Sequence, residues 1–330
     1  MKTGVNLQEG NGKLLAILQS GFPFTSQPFD EIGESLDLSG DDVISRIGQL
    51  KSEGIIRQIG PLFDARKLGF RTTLVATRVT GDEYDKAIRV VTDHPGVSHA
   101  YERDNHFNLW FTLAIHSSID VEAELEKMFA SINSEALFSL PATKLFKLRT
   151  YFDTSGNGQP TIDDSRDAEL SEMDSEISAA DKLVINGLQR DLPLTAHPFY
   201  EMAEEQKMDE EDFLSRCRSL HSRGIIRRFS PAINHRRVGF SANGMACWEV
   251  PDERVDEIGQ KLASLREVSH CYERQTNPLW KYNLFAMIHG LAEEECHKIA
   301  DGVAAETGLT DYILLFSTKE LKKTRVKYLV

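Results

Sequence analysis

Residues Ser269–Gly290, with the sequence SHCYERQTNPLWKYNLFAMIHG, place His270, Tyr272 and Arg274 at every second position. In a β-strand, side chains two residues apart share a face. An imidazole, a phenol and a guanidinium would therefore line one surface of this strand. Such a trio can donate protons and bind carboxylates.

The same trio occurs in the first half of the chain. Residues 98–103 have the sequence SHAYER, which places His99, Tyr101 and Arg103 in the same alternation. In both halves an Asn-Leu-aromatic strand start follows, at Asn108 and at Asn283. The recurrence indicates that the arrangement is a feature of the fold and not an accident of one segment.

The rest of the chain repeats as well. SEGIIRQIGP (52–61) corresponds to SRGIIRRFSP (222–231), and RKLGF (66–70) to RRVGF (236–240). This pattern indicates a tandem duplication, which predicts an internal pseudo-dimer and leaves further self-association open. The loop before the Asn-Leu strand is longer in the second copy, so the two copies are predicted to be chemically unequal, with one productive pocket.

Each copy begins with a pattern typical of a winged helix-turn-helix. In the first copy, apolar spacing predicts helices near residues 14–18 and 29–36, and a third helix capped by Ser39 and ended by Gly54. Residues 55–59 and 68–70 predict a short hairpin or wing. From Arg71 onward the order is β-α-β-β-α-β, the ferredoxin-like arrangement.

The predicted fold class is therefore α+β, a tandem duplication of a winged helix-turn-helix plus a ferredoxin-like (βαββαβ) domain. An acid-rich stretch without aromatic residues predicts a solvated linker between the copies. The boundaries are 1–70 and 179–240 for the winged helices, 71–152 and 241–330 for the ferredoxin-like domains, and 153–178 for the linker.

Composition argues against two classes of protein. The net charge of −13, with acids at the start of the third helix of each winged domain (Asp41 and Asp42; 209–212), disfavours nucleic acid as a partner. No segment has the length and apolarity of a membrane span. The four widely spaced cysteines fit reduced core thiols, and we predict a cytoplasmic protein.

The fold pattern resembles the Lrp/AsnC transcription regulators, and particular residues resemble a narrower branch, the siroheme decarboxylases of the NirD/NirL and AhbA/AhbB type. The segments that carry this resemblance are 224–229 (GIIRRF), 239–248 (GFSANGMACW), 270–274 (HCYER) and 282–289 (YNLFAMIH). Weaker counterparts occur in the first half. This chain departs from the pattern expected for that family at Ser230, where glycine is expected and where the first copy has Gly60.

The resemblance implies removal of two acetate carboxyl groups from siroheme, giving 12,18-didecarboxysiroheme for haem d1 or alternative haem biosynthesis. The tetrapyrrole would be the substrate and the electron sink, so no cofactor is required. Two alternatives stay open: a DNA-binding regulator of the Lrp/AsnC type, and a protein that binds haem or siroheme without altering it.

If the chain acts as such a decarboxylase, His99 and His270 are the candidate acids, because the pKa values of histidines lie closest to cellular pH. The tyrosines are alternates, and the arginines would hold carboxylates. Either histidine could instead ligate the substrate iron, while no metal site of the protein's own is predicted. Trp280 would stack on the macrocycle or plug a loop, and His116, His289 and the Cys296–His297 pair are interpreted as structural. The candidates are His99, His270, Tyr101 and Tyr272 for catalysis, and Arg103, Arg274, Arg57, Arg227, Arg228 and Trp280 for substrate binding.

Overall fold

A computed structural model describes residues 10–148, 176–234 and 242–328. The chain divides into two compact units, and each unit takes one domain type from both copies. One unit contains the two winged helices, and the other contains the two ferredoxin-like domains. Most of the predicted linker (153–175) and the segment 235–241 lie outside the described residues. The predicted α+β fold and duplication are confirmed.

The first winged helix consists of three helices and a strand. The elements are α1 (Asn11–Ser20), α2 (Pro28–Glu34), α3 (Gly40–Ser52) and β1 (Ile56–Phe63). The Ser39 side chain accepts a bond from the Asp42 backbone, and the Asp42 side chain accepts one from Ser39 in return. This capping box confirms the predicted start of α3. Val43, Ile47 and Leu50 bury the inner face of the helix.

The second copy repeats these elements. They are α6 (Ala179–Leu188), α7 (Pro198–Glu205), α8 (Glu210–Ser222) and β6 (Ile226–Ile233). Asp209 caps α8 by accepting bonds from the backbone of Glu211 and Asp212. Ser178, the last residue of the predicted linker, is the N-cap of α6.

The predicted hairpin within each winged helix was wrong. Strand β1 pairs antiparallel with β6 of the other copy, with Ile59 opposite Pro231, and the two form a separate sheet. Phe70 begins a strand of the other unit instead. A single strand leaves its backbone N–H and C=O groups unpaired, and pairing with a second strand satisfies them. The duplication provides β6 as the partner of β1.

A buried ion pair joins the first winged helix, through Asp64 after β1, to the second, through Arg227 on β6. Arg227 Nη2 lies 2.6 Å from Asp64 Oδ2, and the Asp64 side chain is only 3% exposed. Burial is the largest single effect and opposes ionisation of Asp64, but Arg227 and, to a smaller extent, Arg66 together hold the pKa of this carboxyl below its ordinary value. The stabilisation is therefore present above the pKa of Asp64 in the unfolded chain, and it is lost as the pH falls through the lower folded-state pKa.

We expect Asp64→Asn to destabilise the winged-helix unit by about 3–5 kcal/mol at neutral pH, because the Arg227 charge would stay buried without its partner. Chemical denaturation followed by circular dichroism measures this loss. Arg66→Ala is the matched control, since Arg66 approaches the same carboxylate only to 3.8 Å and is 60% exposed. Equal stability of Asp64→Asn and the wild type would contradict a stabilising pair.

The ferredoxin-like domains have the predicted β-α-β-β-α-β order. The first has β2 (Phe70–Arg78), α4 (Glu83–Asp93), β3 (Val97–Arg103), β4 (Leu109–His116), α5 (Val121–Phe129) and β5 (Ala136–Leu148). The second has β7 (Ala242–Trp248), α9 (Val255–Ser264), β8 (Val268–Arg274), β9 (Leu284–Gly290), α10 (Glu293–Thr307) and β10 (Tyr312–Lys323).

The two long strands β5 and β10 join the domains into one closed barrel. Strand β5 pairs first with β2 and then, from Ala142, with β8 of the other copy. Strand β10 pairs first with β7 and then, from Ser317, with β3. The order around the barrel is β10-β3-β4-β2-β5-β8-β9-β7. Closure leaves no unpaired sheet edge.

Alternation along the strands gives each strand two faces. One face packs on the helices in two apolar clusters, one for each copy. The opposite faces of strands from both copies meet in a third cluster inside the barrel, which includes Trp110, Leu140, Met245, Cys247 and Phe285. Because the His-Tyr-Arg residues alternate with helix-facing residues on β3 and β8, they belong to the interior face.

Among the helices in the described ranges, none combines the length and apolarity needed to cross a membrane.

Candidate active site

Each His-Tyr-Arg trio forms one row on its strand, as the alternation predicts. On β3 the ring centres of His99 and Tyr101 are 6.4 Å apart, and the Arg103 guanidinium lies 5.6 Å from the centre of the Tyr101 ring. On β8, His270 and Tyr272 are 6.5 Å apart, and Arg274 lies 4.9 Å from the Tyr272 ring. The rows have nearly the same internal geometry.

The two rows approach each other inside the barrel. His99 and His270 are close enough that charge on the first lowers the pKa of the second. Arg103 and Arg274 are both close enough to Cys247 to act on the pKa of its thiol, which burial raises. The histidines of the two copies are therefore close enough to interact electrostatically, and both arginines interact in this way with one cysteine.

Arg103 is buried and Arg274 is partly buried, and the hydrogen bonds of both guanidinium groups are to backbone carbonyls. Arg103 is 5% exposed, and its Nη1 donates to the Leu315 carbonyl at 2.7 Å. Arg274 is partly buried and donates in the same way to the Leu140 carbonyl at 2.8 Å. Burial lowers the pKa of Arg103 to about 10 and lowers that of Arg274 as well.

Within the described ranges, no carboxylate forms an ion pair with either guanidinium, and both Nε atoms are buried without a hydrogen-bond partner. A buried cation that keeps its charge but lacks a counterion is costly, since desolvation is not offset by attraction. A bound anion would supply both the charge and the missing hydrogen bonds. The two arginines therefore form a site suited to carboxylates.

The histidines are held through Nδ1. His99 Nδ1 lies 2.9 Å from Ser98 Oγ, and His270 Nδ1 lies 2.6 Å from Ser269 Oγ. Burial, followed by the charges of His289, His99, Lys323 and Arg274, lowers the pKa of His270 to about 3. This lowered pKa favours the neutral form of His270 near pH 7.

One residue at this site was interpreted as structural from the sequence. His289 on β9 is 9% exposed, and its Nε2 lies 2.7 Å from Ser269 Oγ. Burial and the charge of Lys323 lower its pKa to about 4. The alternation of Phe285, Met287 and His289 on one strand face was a signal that could have placed it in the barrel.

Of the remaining predicted substrate-binding residues, Trp280 lies in the barrel interior and the three other arginines lie in the winged-helix unit. Trp280 is 4% exposed and packs edge-on against Trp110, with ring centres 5.0 Å apart, within the interior cluster. Stacking of Trp280 on a macrocycle stays a prediction. Arg57, Arg227 and Arg228 belong to the winged-helix unit, where Arg227 is bound to Asp64, so they are not part of the barrel.

Among the described residues, no group of three or more His, Cys, Asp or Glu side chains is placed to hold a metal ion. Iron in a tetrapyrrole would enter as part of the substrate.

Fold and site together define an AsnC-like protein whose ligand-binding domain is duplicated and closed into a barrel. The model of the AsnC-like ligand binding domain matches residues 67–147 and 237–322. The model described as the siroheme decarboxylase NirDL-like HTH domain matches residues 11–57 and 181–227.

Relatives narrow this class. A siroheme decarboxylase of Hydrogenobacter thermophilus is 35% identical over 96% of this chain and 94% of its own. A siroheme decarboxylase beta subunit of Methanosarcina barkeri is 43% identical over 44% of this chain and 93% of its own. The crystal structure of the siroheme decarboxylase NirDL with an iron-uroporphyrin III analogue has a TM-score of 0.74 and 32% identity, covering 97% of this chain and 95% of that one. The chain belongs to the siroheme decarboxylase family of carboxy-lyases.

Proposed function

We propose that this protein removes the carboxyl groups of two acetate side chains of siroheme, giving 12,18-didecarboxysiroheme for haem d1 or alternative haem biosynthesis. The single observation that carries this proposal is in the interior of the barrel, where Arg103 and Arg274 accompany two histidines and neither arginine pairs with a carboxylate of the described residues. A substrate with several carboxylates supplies what this interior lacks.

In this proposal, the two arginines bind and orient the tetrapyrrole. Arg103 and Arg274 would each hold a substrate carboxylate through the guanidinium edge that is not bound to a backbone carbonyl. Binding at carboxylates that do not react fixes the macrocycle and offsets the cost of desolvating the acetate that does. The apolar residues of the interior exclude water from the reacting carbon.

The histidines supply protons. Loss of carbon dioxide breaks the carbon–carbon bond of the acetate and leaves the electron pair on the remaining methylene, where the conjugated macrocycle delocalises it. Transfer of one proton from a histidine to that carbon forms the methyl group. Bound carboxylates would raise the pKa of His270 from its low value, because they stabilise the imidazolium. Tyr101 and Tyr272 lie beside the histidines as alternative donors.

No cofactor is required in this scheme, because the substrate is its own electron sink. Ligation of the substrate iron by His99 or His270 is the other role open to these rings, since a neutral imidazole is a good iron ligand.

The regulator alternative is less well supported by the winged helices. On α8, Arg216 is paired with Asp212 and Asp181, and Arg218 is bound to Glu211. These pairs leave little positive charge for phosphates. We propose that the tetrapyrrole, and not nucleic acid, is the partner of this chain.

The test is anaerobic incubation of the purified protein with siroheme, followed by mass spectrometry of the extracted tetrapyrrole. The expected result is loss of two molecules of carbon dioxide from each siroheme. Siroheme recovered unchanged over a range of pH and under reducing conditions would overturn the proposal and favour a protein that only binds the macrocycle.

A further inference from the structure

We infer that His289 is a positioning residue for His270, acting through the hydroxyl of Ser269; the inference rests on the proposed decarboxylation. Ser269 Oγ lies 2.6 Å from His270 Nδ1 and 2.7 Å from His289 Nε2. Ser269 and His289 are 7% and 9% exposed, so the two bonds are shielded from water. The three side chains form a continuous chain within the barrel.

The chemistry of a hydroxyl couples the two rings. A serine hydroxyl has one proton, so when it donates to one imidazole it can only accept from the other. If His289 donates to Ser269, then Ser269 donates to His270 Nδ1, and a neutral His270 must carry its proton on Nε2. That tautomer presents an N–H bond to the barrel interior. His289 therefore helps determine which His270 nitrogen carries the proton.

The proton balance is simple. With substrate carboxylates bound, the His270–Ser269–His289 chain holds one extra proton. His270 gives one proton to the methylene carbon through Nε2, both rings are then neutral, and one proton from water restores the chain. The positive charges of Lys323 and Arg274 act on His270, and that of Lys323 acts on His289 as well, so they oppose a second extra proton. A protonated His99 would act on His270 in the same direction.

The first copy lacks this device. His99 keeps its serine partner, Ser98, but the position equivalent to His289 is Ala114. The position equivalent to Lys323 is Leu148. The histidines of the two copies therefore have different hydrogen-bond partners, and removal of His289 should affect the two decarboxylations unequally.

The experiment compares His289→Ala and His289→Gln with the wild type in single-turnover reactions with siroheme. In His289→Ala we expect one of the two decarboxylations to slow by about 10–100-fold, as for lost outer partners of functional histidines, so that singly decarboxylated product accumulates. Substrate affinity should change less than about twofold, because the hydrogen bond of His289 is to Ser269 and the carboxylates are assigned to Arg103 and Arg274. Gln keeps a hydrogen bond to Ser269 and should restore most of the rate.

A second measurement does not depend on turnover. Nitrogen-15 NMR of the histidine rings at neutral pH should show His270 as one tautomer in the wild type and in His289→Gln, and as a mixture in His289→Ala, with His99 unchanged. His116→Ala, at the exposed end of β4, is the control for loss of a histidine.

Equal slowing of both steps, an unchanged product ratio, a glutamine variant as slow as the alanine variant, or an unchanged His270 tautomer would each overturn the inference. A wild-type protein that leaves siroheme intact would instead count against the proposed function, while the tautomer measurement would still decide the role of His289.

Discussion

Replacement of both Arg103 and Arg274 by methionine is expected to weaken siroheme binding severely while leaving the fold as stable as before or more so. Each guanidinium removed from a buried, hydrogen-bonded contact with a carboxylate should cost about 2–5 kcal/mol of binding free energy. The free energy of unfolding should stay the same or rise by about 1–4 kcal/mol, since an apolar side chain replaces a desolvated charge that no acid of the described residues neutralises.

The prediction is diagnostic because siroheme binding should weaken while the free energy of unfolding should not fall. Spectroscopic titration with siroheme measures the dissociation constant, and thermal denaturation of the substrate-free protein measures stability. Arg89→Met is the matched control, because Arg89 is exposed on α4 and should change neither quantity. A double variant that binds siroheme normally, or that loses stability, would show that these arginines serve the barrel and not the substrate.

The histidines should control rate more than affinity. We expect His99→Ala and His270→Ala each to lower the decarboxylation rate by about 10²–10⁴-fold, the range of general acid catalysis, with the dissociation constant of siroheme changed little. Single-turnover kinetics with mass analysis of the tetrapyrrole measures this loss. His116→Ala, an exposed histidine bonded to Ser118, is the control and should react as the wild type does.

The pH dependence follows from the same site. Burial lowers the pKa of His270 to about 3, so the protonated fraction in the free protein is small near pH 7 and grows as the pH falls. The value of kcat/KM for siroheme should therefore rise as the pH is lowered from 8 to 6. If the histidines ligate iron instead, His99→Ala or His270→Ala should change the absorption spectrum of bound siroheme, and the pH dependence should not follow histidine protonation.

The repeat of His, Tyr and Arg at alternate positions was enough to predict two equivalent rows on two strands. Strand geometry fixes which side chains share a face, so local sequence determines each row. The capping of α3 by Ser39 was predictable for the same reason, because the hydrogen bonds connect residues three apart. The duplication also followed from the sequence, since it requires only that the two halves be compared.

The pairing between copies was not predictable from these patterns. A strand's sequence does not state which strand it will pair with, and β1 pairs with β6 where a local hairpin was expected. In the same way, the first part of β10 pairs with its own copy and the second part pairs with β3. These choices depend on which backbone groups remain unpaired once both copies have folded.

The sequence by itself determined the residue types of the site, their alternation on two strands, the α+β domain order and the duplication. Only the tertiary structure decided that the rows share one closed barrel, that Arg103 and Arg274 pair with no carboxylate of the segments that the structure describes, and that Ser269 links His270 to His289. The physical reason is the sequence separation of the residues that interact. Alternation is a local property of the backbone, whereas burial, proximity of charges and pKa shifts arise from residues far apart in the chain that meet only when the barrel closes.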